Sequence, residues 1–300
     1  MILIAEISFQ PIEQKRSQNK LSTSYCFTME WKEIIKDSAW VVENLLSKEE
    51  CEDFMQHAIN AGIENKKSAG DVRHRDSTMV AFDNAEIAER VFNRIKSCLP
   101  HLIIIDDSCE IRGLGQNREE LYGTWRPYGL NSRWRIVCYP GKGHFGPHRD
   151  SYRYVDEHHR SFITINGYLT DRPHGFGGAT RFLKDSIDLH LNEKDLFTAK
   201  EEDVLHSVDA DKAGKAVVFF HDLLHDGEPL KEGSPPKWLF RTEVLFERDP
   251  STATQLTSDE QEARKLLKEA EEKEERGHFD EATKLYRRAY RLDNALEFNH

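Results

Sequence analysis

Hydrophobic and polar positions change their spacing twice in the first third of the chain. A short apolar run beginning at Trp40 gives way to helical spacing, and Ser47 lies three residues before Glu50, as in a capping box. A second stretch over residues 85–99 repeats apolar side chains every three or four positions and is closed by Pro100. The pattern predicts one strand and two helices ahead of a β-rich region.

Residues 133–248 show a different sequence pattern, in which short β-branched and aromatic runs alternate with Gly, Pro, Asp and Lys. Many short strands without regular intervening helices are typical of a barrel or jelly roll. The sequence therefore predicts a mainly β domain whose strands include residues 134–139, 162–169, 180–183, 216–220 and 238–246.

The two ends of the chain differ from this central part. Residues 1–30 show no period and predict a poorly ordered leader. After Pro250 the composition shifts to Glu, Lys, Arg, Ala and Leu, and residues 259–297 predict two helices broken at positions 276–278. We therefore expect a leader at 1–30, one domain at 31–250 and a helical hairpin at 256–298, since 300 residues suit a single main core.

Composition and charge narrow the class of protein. The formal net charge of −11 argues against a protein that mainly coats nucleic-acid phosphates. No apolar run reaches the roughly 18 residues of a membrane helix, and the start of the chain lacks the basic lead of a signal peptide. The five cysteines are scattered, which favours a reducing compartment. We expect a soluble protein of the cytoplasm or nucleus.

Candidate metal ligands appear at His148 and Asp150, which are two residues apart and so share one face of an extended segment. A second His-Arg-Asp occurs at positions 74–76, in a loop-like stretch after polar sequence, and we interpret it as structural or surface. The pair at 148 instead follows a predicted strand and a turn-forming run at 139–147. Position in the chain therefore favours the second pair.

A third ligand is expected at a distant strand end, and His225 follows the apolar run 216–220. Two histidines and one carboxylate that leave open positions suit Fe(II) oxygenase chemistry. His221 competes, because with His225 it has the His-x-x-x-His spacing of zinc hydrolases, but Asp222 stands where those enzymes have their glutamate base. A Gly-x-Gly-x-x-Gly match at 141–146 is rejected as a dinucleotide site, because Pro147 and the following residues do not begin a helix.

Two cations follow on the last predicted strand. Lys237 and Arg241 are four residues apart and face one way, while Trp238 and Phe240 face the other. Alone, they would be ordinary solvated charges. Beside an iron triad, a dicarboxylate co-substrate explains them better.

Taken in order, these residues resemble the prolyl 4-hydroxylase-like branch of the Fe(II)- and 2-oxoglutarate-dependent oxygenases. The resemblance is close over residues 125–247 and loose over the helices between 40 and 100. It rests on Arg135 to Gly141, Phe145-x-x-His148-x-Asp150, Thr164 to Leu169, Gly177 to Phe182, Gly214 to Phe219, Leu224 to Pro229, and Lys237-Trp238 through Arg241-Thr242.

The resemblance implies a double-stranded β-helix, or jelly roll, with supporting N-terminal helices and a C-terminal helical hairpin. It implies metal ligation by His148, Asp150 and His225, and selects His225 over His221 because the family's last ligand precedes a Gly and a Pro. Lys237 fits the family's co-substrate cation best, and Arg241 stays open because the connection is two residues longer here. Tyr139 resembles a tyrosine that contacts the co-substrate, and Thr164 and Thr180 resemble barrel-lining positions.

The activity implied is hydroxylation of a C–H bond with Fe(II), 2-oxoglutarate and O2, releasing succinate and CO2, with ascorbate as an expected reductant. The expected substrate is a protein side chain, with proline as one option. One alternative is oxidative demethylation of a small molecule or of nucleic acid held by arginines at positions 126, 133, 149, 153 and 160. Another is an inactive oxygenase fold that serves as a partner-binding module.

The segment from Gly277 to Asn294 resembles one tetratricopeptide repeat, with small and aromatic residues where two antiparallel helices interlock. Such arrays need about three units to bury their apolar faces. The hairpin is therefore expected to dock on the catalytic domain or on a protein partner. The alternative is a charged, solvated helix pair.

Overall fold

The structure is a computed structural model that describes residues 29–114, 118–253, 256–294 and 296. The predicted leader at 1–30 lies outside these residues apart from its last two positions. In the described ranges, no helix combines the length and the apolar character that a bilayer crossing requires.

The described residues form seventeen strands and four α-helices. The strands are β1 (Glu30–Ile35), β2 (Ala39–Glu43), β3 (Arg75–Asp76), β4 (Thr78–Asp83), β5 (Ile103–Ile105), β6 (Gly123–Leu130), β7 (Arg133–Tyr139), β8 (His144–His148), β9 (Tyr154–Asp156), β10 (His159–Tyr168), β11 (Thr180–Leu183), β12 (His190–Leu191), β13 (Phe197–Thr198), β14 (Val204–Val208), β15 (Ala216–Phe220), β16 (His225–Gly227) and β17 (Lys237–Arg248). The helices are α1 (Lys48–Asn60), α2 (Ala85–Ile95), α3 (Ser258–Glu275) and α4 (Phe279–Leu292).

The strands make two main antiparallel sheets. The larger runs β1-β2-β15-β10-β17-β6-β5, with β7 pairing with β17 and β4, and β9 with β10. The smaller runs β14-β11-β16-β8-β3, while β12 and β13 pair with each other. The chain is thus mainly β, as predicted, and has the curled antiparallel architecture of a jelly roll with helices at both ends of the sequence.

The larger sheet is buried on both faces, which explains the unbroken apolar run of β15. Val217, Phe219 and Leu239 point towards the smaller sheet and pack with Phe182. The alternate residues of the same strands, including Val218 and Phe240, belong to the core that helices α1 and α2 cover. Because both faces need apolar side chains, strict alternation is lost in the strands that position the site.

The helices begin where their capping residues indicate. Ser47 accepts a hydrogen bond from the backbone N–H of Glu50, whose side chain accepts one from the Ser47 N–H, completing the predicted capping box. Helix α2 ends at Ile95, although the predicted helix continued to position 99. Leu99 is buried but lies outside the helix, because the residue before a proline disfavours helical backbone.

The sequence predicted β2 but not the other strands that precede β7. Two of them, β3 and β5, are only two or three residues long, too short to show a period. Strand β6 contains Gly and Pro, residues that sequence rules place outside strands. A register irregularity in its pairing with β17, next to Pro127, accommodates the missing N–H.

The C-terminal helices α3 and α4 pack together around Ala263, Leu267 and Ala289. Their break falls at the predicted positions 276–278. Arg264 of α3 is buried and makes ion pairs with Asp293, at 2.8 Å, and with Glu120 of the β domain, at 3.2 Å. The hairpin therefore docks on the β domain of the same chain. Its kinship to a tetratricopeptide repeat stays a prediction.

Replacing Arg264 by methionine should lower the free energy of unfolding by roughly 3 kcal/mol, because it removes ion pairs from two partly or fully buried carboxylates. Urea denaturation measures the change. Lys268→Met, an exposed position on the same helix, is the matched control and should stay within about 0.5 kcal/mol of wild type. Equal stability of the Arg264 variant and wild type would show that the ion pairs do not hold the hairpin in place.

Candidate metal and co-substrate site

Three predicted metal ligands meet at the end of the smaller sheet. Strand β8 ends at His148, strand β16 begins at His225, and these two residues are direct partners across the paired strands. Asp150 follows two residues after His148. One ligand atom from each side chain lies within 4.8 Å of the others, and the two imidazole centroids are 4.2 Å apart. Among the described residues, this is the one cluster of three or more His, Cys, Asp or Glu side chains with such geometry.

The backbone fixes the orientation of both imidazoles in the same way. Nδ1 of His148 donates to the carbonyl of Gly146, and Nδ1 of His225 donates to the carbonyl of Leu223, each at 2.8 Å. These hydrogen bonds place the proton on Nδ1 and leave the Nε2 lone pair free for a metal. Burial and the nearby His225 lower the pKa of His148 well below its usual value, so its imidazole is neutral, as a ligand must be.

Asp150 completes the set as a buried carboxylate. Its Oδ1 lies 3.7 Å from Nε2 of His148, and its Oδ2 lies 3.8 Å from Nε2 of His225. Burial raises the pKa of Asp150, but Arg241 and the two histidines together lower it by more, so the net shift is downward. Oδ2 is buried without a hydrogen-bond partner in the described residues. A divalent cation between the three side chains would satisfy this atom, so these residues fit an Fe(II) site.

A cavity of about 150 Å³ opens beside the triad. Arg241 lies near the metal side of it, with Nη1 3.2 Å from Oδ1 of Asp150. Lys237 is 3% exposed, and its Nζ lies 5.3 Å from the ring centroid of Tyr139 and 5.5 Å from that of Tyr168. The cavity is lined by Arg75, Met79, Arg135, Val137, Tyr139, Phe145, His148, Asp150, Asn166, Thr180, His225, Asp226, Gly227, Lys237, Leu239 and Arg241.

The structure thus gives the two predicted cations different surroundings. Arg241 is engaged by Asp150, by the carbonyl of Ser151 at 3.1 Å and by Glu243 at 3.6 Å. In the described residues Lys237 makes no ion pair, and burial and the nearby Arg172 lower its pKa to about 7. A buried amine without a counter-ion beside an open cavity is suited to receive an anion.

The lowered pKa of Lys237 predicts that 2-oxoglutarate affinity depends on pH if this amine binds a carboxylate of the co-substrate. Above about pH 7 the amine of the free site is neutral, so binding a carboxylate requires uptake of a proton, and the affinity should fall by up to about tenfold per pH unit. Below that pH this group is already charged and adds no slope. Anaerobic titration of the iron-loaded protein between about pH 6 and pH 9 tests this. Lys237→Arg, which stays charged, should remove the slope; an unchanged slope would exclude Lys237 as its source.

The other predicted positions also lie at or near the cavity. Tyr139 is buried and pairs with Lys237 across β7 and β17. The Tyr168 hydroxyl donates to Oγ1 of Thr180 at 2.8 Å, and Thr180 lines the cavity wall. Thr164 is fully buried on β10. These placements agree with the roles that the sequence suggested for Tyr139 and the two threonines, which stay predictions.

The competing motifs do not join the triad. His221 is buried, contacts the rings of Tyr152 and Phe162, and has a pKa lowered to about 3 by burial and by Arg160. The glycine-rich segment 141–146 leads into strand β8 and not into a helix. The second His-Arg-Asp is structural in part, since β3 pairs with β8 and His74 Nε2 contacts the Pro147 carbonyl at 3.2 Å.

Among the residues that line the cavity, the polar side chains of Arg75, Arg135 and Asn166 were not predicted from the sequence. Arg135 could have been found, because it lies four residues before Tyr139 on β7 and so shares its face. Arg75 could not, because only the pairing of β3 with β8 brings it to the site.

A buried arginine supports the strand that carries His225. Arg181 of β11 makes two hydrogen bonds to the carboxylate of Asp226, at 2.8 and 2.6 Å. Both side chains are buried, and such bidentate pairs fix geometry as well as charge. The pair ties β11 to β16 directly after His225.

Comparison with known proteins agrees with this geometry. Residues 134–242 match the family model of the 2OG-Fe(II) oxygenase superfamily. No curated protein matches the chain.

Among solved structures, the chain is similar to the viral collagen prolyl hydroxylase of Paramecium Bursaria Chlorella virus-1, with 17% identity, coverage of 69% of this chain and 96% of that one, and a TM-score of 0.39. It is similar to a Pseudomonas putida prolyl-4-hydroxylase, with 14% identity, coverage of 71% and 93%, and a TM-score of 0.39. It is also similar to the epimerase SnoN, with 11% identity, coverage of 71% and 80%, and a TM-score of 0.40.

The range that matches the family model, 134–242, contains the triad and all of the residues that line the cavity except Arg75 and Met79. The chain is a 2-oxoglutarate-dependent dioxygenase that uses Fe(II) and 2-oxoglutarate. The predictions of this enzyme class, of Fe(II) and 2-oxoglutarate as cofactors, and of a mainly β jelly roll are confirmed.

Proposed function

We propose that this dioxygenase hydroxylates a C–H bond on a protein side chain and converts 2-oxoglutarate to succinate and CO2. The observation that carries the proposal is the His148-Asp150-His225 cluster at one side of a cavity whose other side holds the buried Lys237. A dicarboxylate that chelates the metal at one end needs a cation at its other end. This cavity has candidate metal ligands on one side and the Lys237 amine on the other.

His148 and His225 would hold Fe(II) through Nε2, and Asp150 through its ionised carboxylate. When bound, Fe(II) together with 2-oxoglutarate supplies the activation of O2 and the oxidation of the target C–H bond. Arg241 holds Asp150 in place through its 3.2 Å contact, and so keeps one carboxylate oxygen oriented towards the histidines.

Lys237 is the proposed partner of the far carboxylate of 2-oxoglutarate, with the hydroxyl of Tyr139 beside it. Burial raises the pKa of Tyr139, so its hydroxyl stays protonated and can donate a hydrogen bond. Apolar side chains of Met79, Val137 and Leu239 form the rest of this wall. They keep water away from the reacting centre, which strengthens the ion pair and protects the oxidant.

A protein substrate is supported by the sequence resemblance to prolyl 4-hydroxylase-like enzymes and by the surface next to the cavity. Strand β13, which pairs with β12, lies against β8, and the backbone N–H of Phe197 on β13 donates to the Arg73 carbonyl just before β3. Two leucines of this hairpin region are exposed, Leu189 at 60% and Leu191 at 41%. Exposed apolar side chains at the rim of a site provide contact area for a polypeptide.

The nucleic-acid alternative needs the arginines at 126, 133, 149, 153 and 160 to form one basic groove. In the structure, Arg160 is buried over the ring of Tyr152, Arg133 pairs with Asp83, and Arg149 pairs with Asp222. These side chains are engaged separately, and the net charge is −11. The surface therefore favours a protein substrate over a nucleic acid.

The test begins with the iron-loaded protein and 2-oxoglutarate under anaerobic conditions. On admission of O2 we expect succinate to form slowly, and to form faster with a library of proline-containing peptides, some of which gain one oxygen atom by mass spectrometry. His148→Ala provides the background. Faster succinate production with methylated nucleic acid but with no peptide would replace the hydroxylase with a demethylase.

A further inference from the structure

The mouth of the cavity carries a cation that the proposed chemistry does not use. Arg75 lines the cavity on strand β3, directly opposite Phe145 of β8. Its guanidinium carbon lies 4.5 Å from the centroid of the Phe145 ring, and that ring stacks on His148 with centroids 3.5 Å apart. Arg75, Phe145 and the metal ligand His148 therefore form consecutive layers.

The arginines of this cavity differ in how far their charge is compensated. Arg135 pairs with Glu243 at 2.6 Å, and Arg241 pairs with Asp150 and, more distantly, with Glu243. The remaining oxygen of Glu243 accepts from Nδ2 of Asn131 at 2.7 Å. Glu243 is thus already engaged by two arginines and an amide.

Arg75, in contrast, makes no ion pair with any residue in the described ranges. Its Nε donates to Oγ of Ser77 at 2.9 Å, which fixes the plane of the guanidinium. Its guanidinium lies over the Phe145 ring and also donates to the Tyr139 hydroxyl. These contacts orient the guanidinium but do not neutralise its charge, and a planar, pre-oriented guanidinium without a counter-ion is the arrangement that binds carboxylates.

The cofactors do not supply the missing anion. One carboxylate of 2-oxoglutarate is taken by the metal, and the other by Lys237 in the proposed function. Arg75 is held over the outer face of Phe145, whereas His148 stacks against the same ring. Because both carboxylates of 2-oxoglutarate are assigned elsewhere in the proposed function, an anion that pairs with Arg75 would come from the substrate.

We propose that Arg75 binds a carboxylate of the substrate, placing an acidic residue of the polypeptide next to the side chain that is oxidised. The inference rests on the proposed function and specifies its substrate class: an acidic peptide segment. Arg75 is a specificity residue, and it is neither a metal ligand nor the proposed partner of 2-oxoglutarate.

The experiment uses the full chain loaded with Fe(II) and 2-oxoglutarate under anaerobic conditions. The probes are short acetylated, amidated peptides with a central proline flanked by either glutamate or glutamine, together with N-acetylproline and its amide. We expect the glutamate peptides to bind more tightly than the glutamine peptides. Arg75→Met should lower the affinity for the glutamate peptides by roughly 10- to 100-fold and leave the affinity for the glutamine peptides unchanged.

Arg73→Met is the matched control, because Arg73 is two residues away and is already held by Asp71 at 2.7 Å. It should bind all probes as wild type does. Arg75→Lys should retain part of the preference, and Arg75→Glu should prefer peptides with lysine at the same position. Thermal denaturation and 2-oxoglutarate binding show that each variant is folded and its co-substrate site intact.

The outcomes separate the inference from the function on which it rests. If Arg75→Met binds the glutamate peptides as wild type does, or if it loses 2-oxoglutarate affinity instead, the assignment of Arg75 to substrate is wrong. The same holds if wild type shows no preference for carboxylate probes. Preference for free N-acetylproline alone supports the anion site but overturns the polypeptide substrate. Failure of wild type to form succinate without any probe would instead refute the proposed function.

Discussion

Alanine in place of His148 or His225 should abolish succinate production and lower Fe(II) affinity by at least about 100-fold. Each substitution removes one of the three ligands, whose ligand atoms lie within 4.8 Å of one another. The remaining histidine and Asp150 already occupy their own positions around the ion, so they cannot replace the missing ligand. The loss of succinate production should persist even at saturating 2-oxoglutarate, because the co-substrate binds through the same metal. Iron binding is measured anaerobically by titration, and turnover by succinate formed after O2 is admitted.

His221→Gln is the matched control for this prediction. His221 is a buried histidine four residues from His225, and it forms no part of the triad. Its substitution should preserve iron binding and most of the turnover, although packing against Tyr152 changes. If His221→Gln loses iron while His225→Ala keeps it, the assignment of the third ligand is wrong.

Lys237→Met should raise the Kd of 2-oxoglutarate by roughly 100-fold or more, with little change in Fe(II) affinity. Truncating one partner of a buried charged pair costs about 2–5 kcal/mol, and methionine keeps the volume and apolar contacts of the lysine stem. Lys237 makes no ion pair with the described residues, so its removal leaves no protein carboxylate unpaired. The protein should therefore stay folded, which thermal denaturation of the iron-loaded form can check.

Arg241→Met is the comparison that decides between the two cations. Arg241 contacts Asp150 at 3.2 Å, so its loss should weaken iron binding and turnover more than it weakens 2-oxoglutarate binding at saturating iron. The ratio of the two Kd changes in each variant is the deciding quantity. The reverse pattern, with Arg241 controlling 2-oxoglutarate and Lys237 controlling iron, would exchange the proposed roles.

Much of the local structure could be predicted because it is encoded in neighbouring residues. The strands at Thr180–Leu183 and Ala216–Phe220 coincide with their predicted ranges, since turn residues interrupt the apolar runs at both ends. The start of α1 follows from the Ser47 and Glu50 caps. The spacing of His148 and Asp150 indicated a shared ion, because residues two apart on an extended segment face the same side.

Other features depend on contacts between distant segments. Strand β3 is two residues long and carries no signal of its own, yet its pairing with β8 brings Arg75 to the cavity. The His-Arg-Asp at 74–76 was interpreted as structural or surface, which holds for His74 but overlooks Arg75. Likewise, the docking of the C-terminal hairpin on the β domain is seen only in tertiary contacts such as the ion pair between Arg264 and Glu120.

The sequence by itself determined the class of fold, the candidate ligands and the pair of cations, because periodicity, turn residues and short-range spacing are local properties of the chain. Spacing alone left Lys237 and Arg241 equivalent, since both face the same side of one strand, and the family resemblance favoured Lys237 without excluding Arg241. The tertiary structure distinguished them by placing Asp150 against Arg241 and leaving Lys237 buried at the aromatic side of the cavity. The physical reason is that burial and charge compensation depend on neighbours from other strands, and strand pairing and packing, not the local sequence, bring those neighbours together.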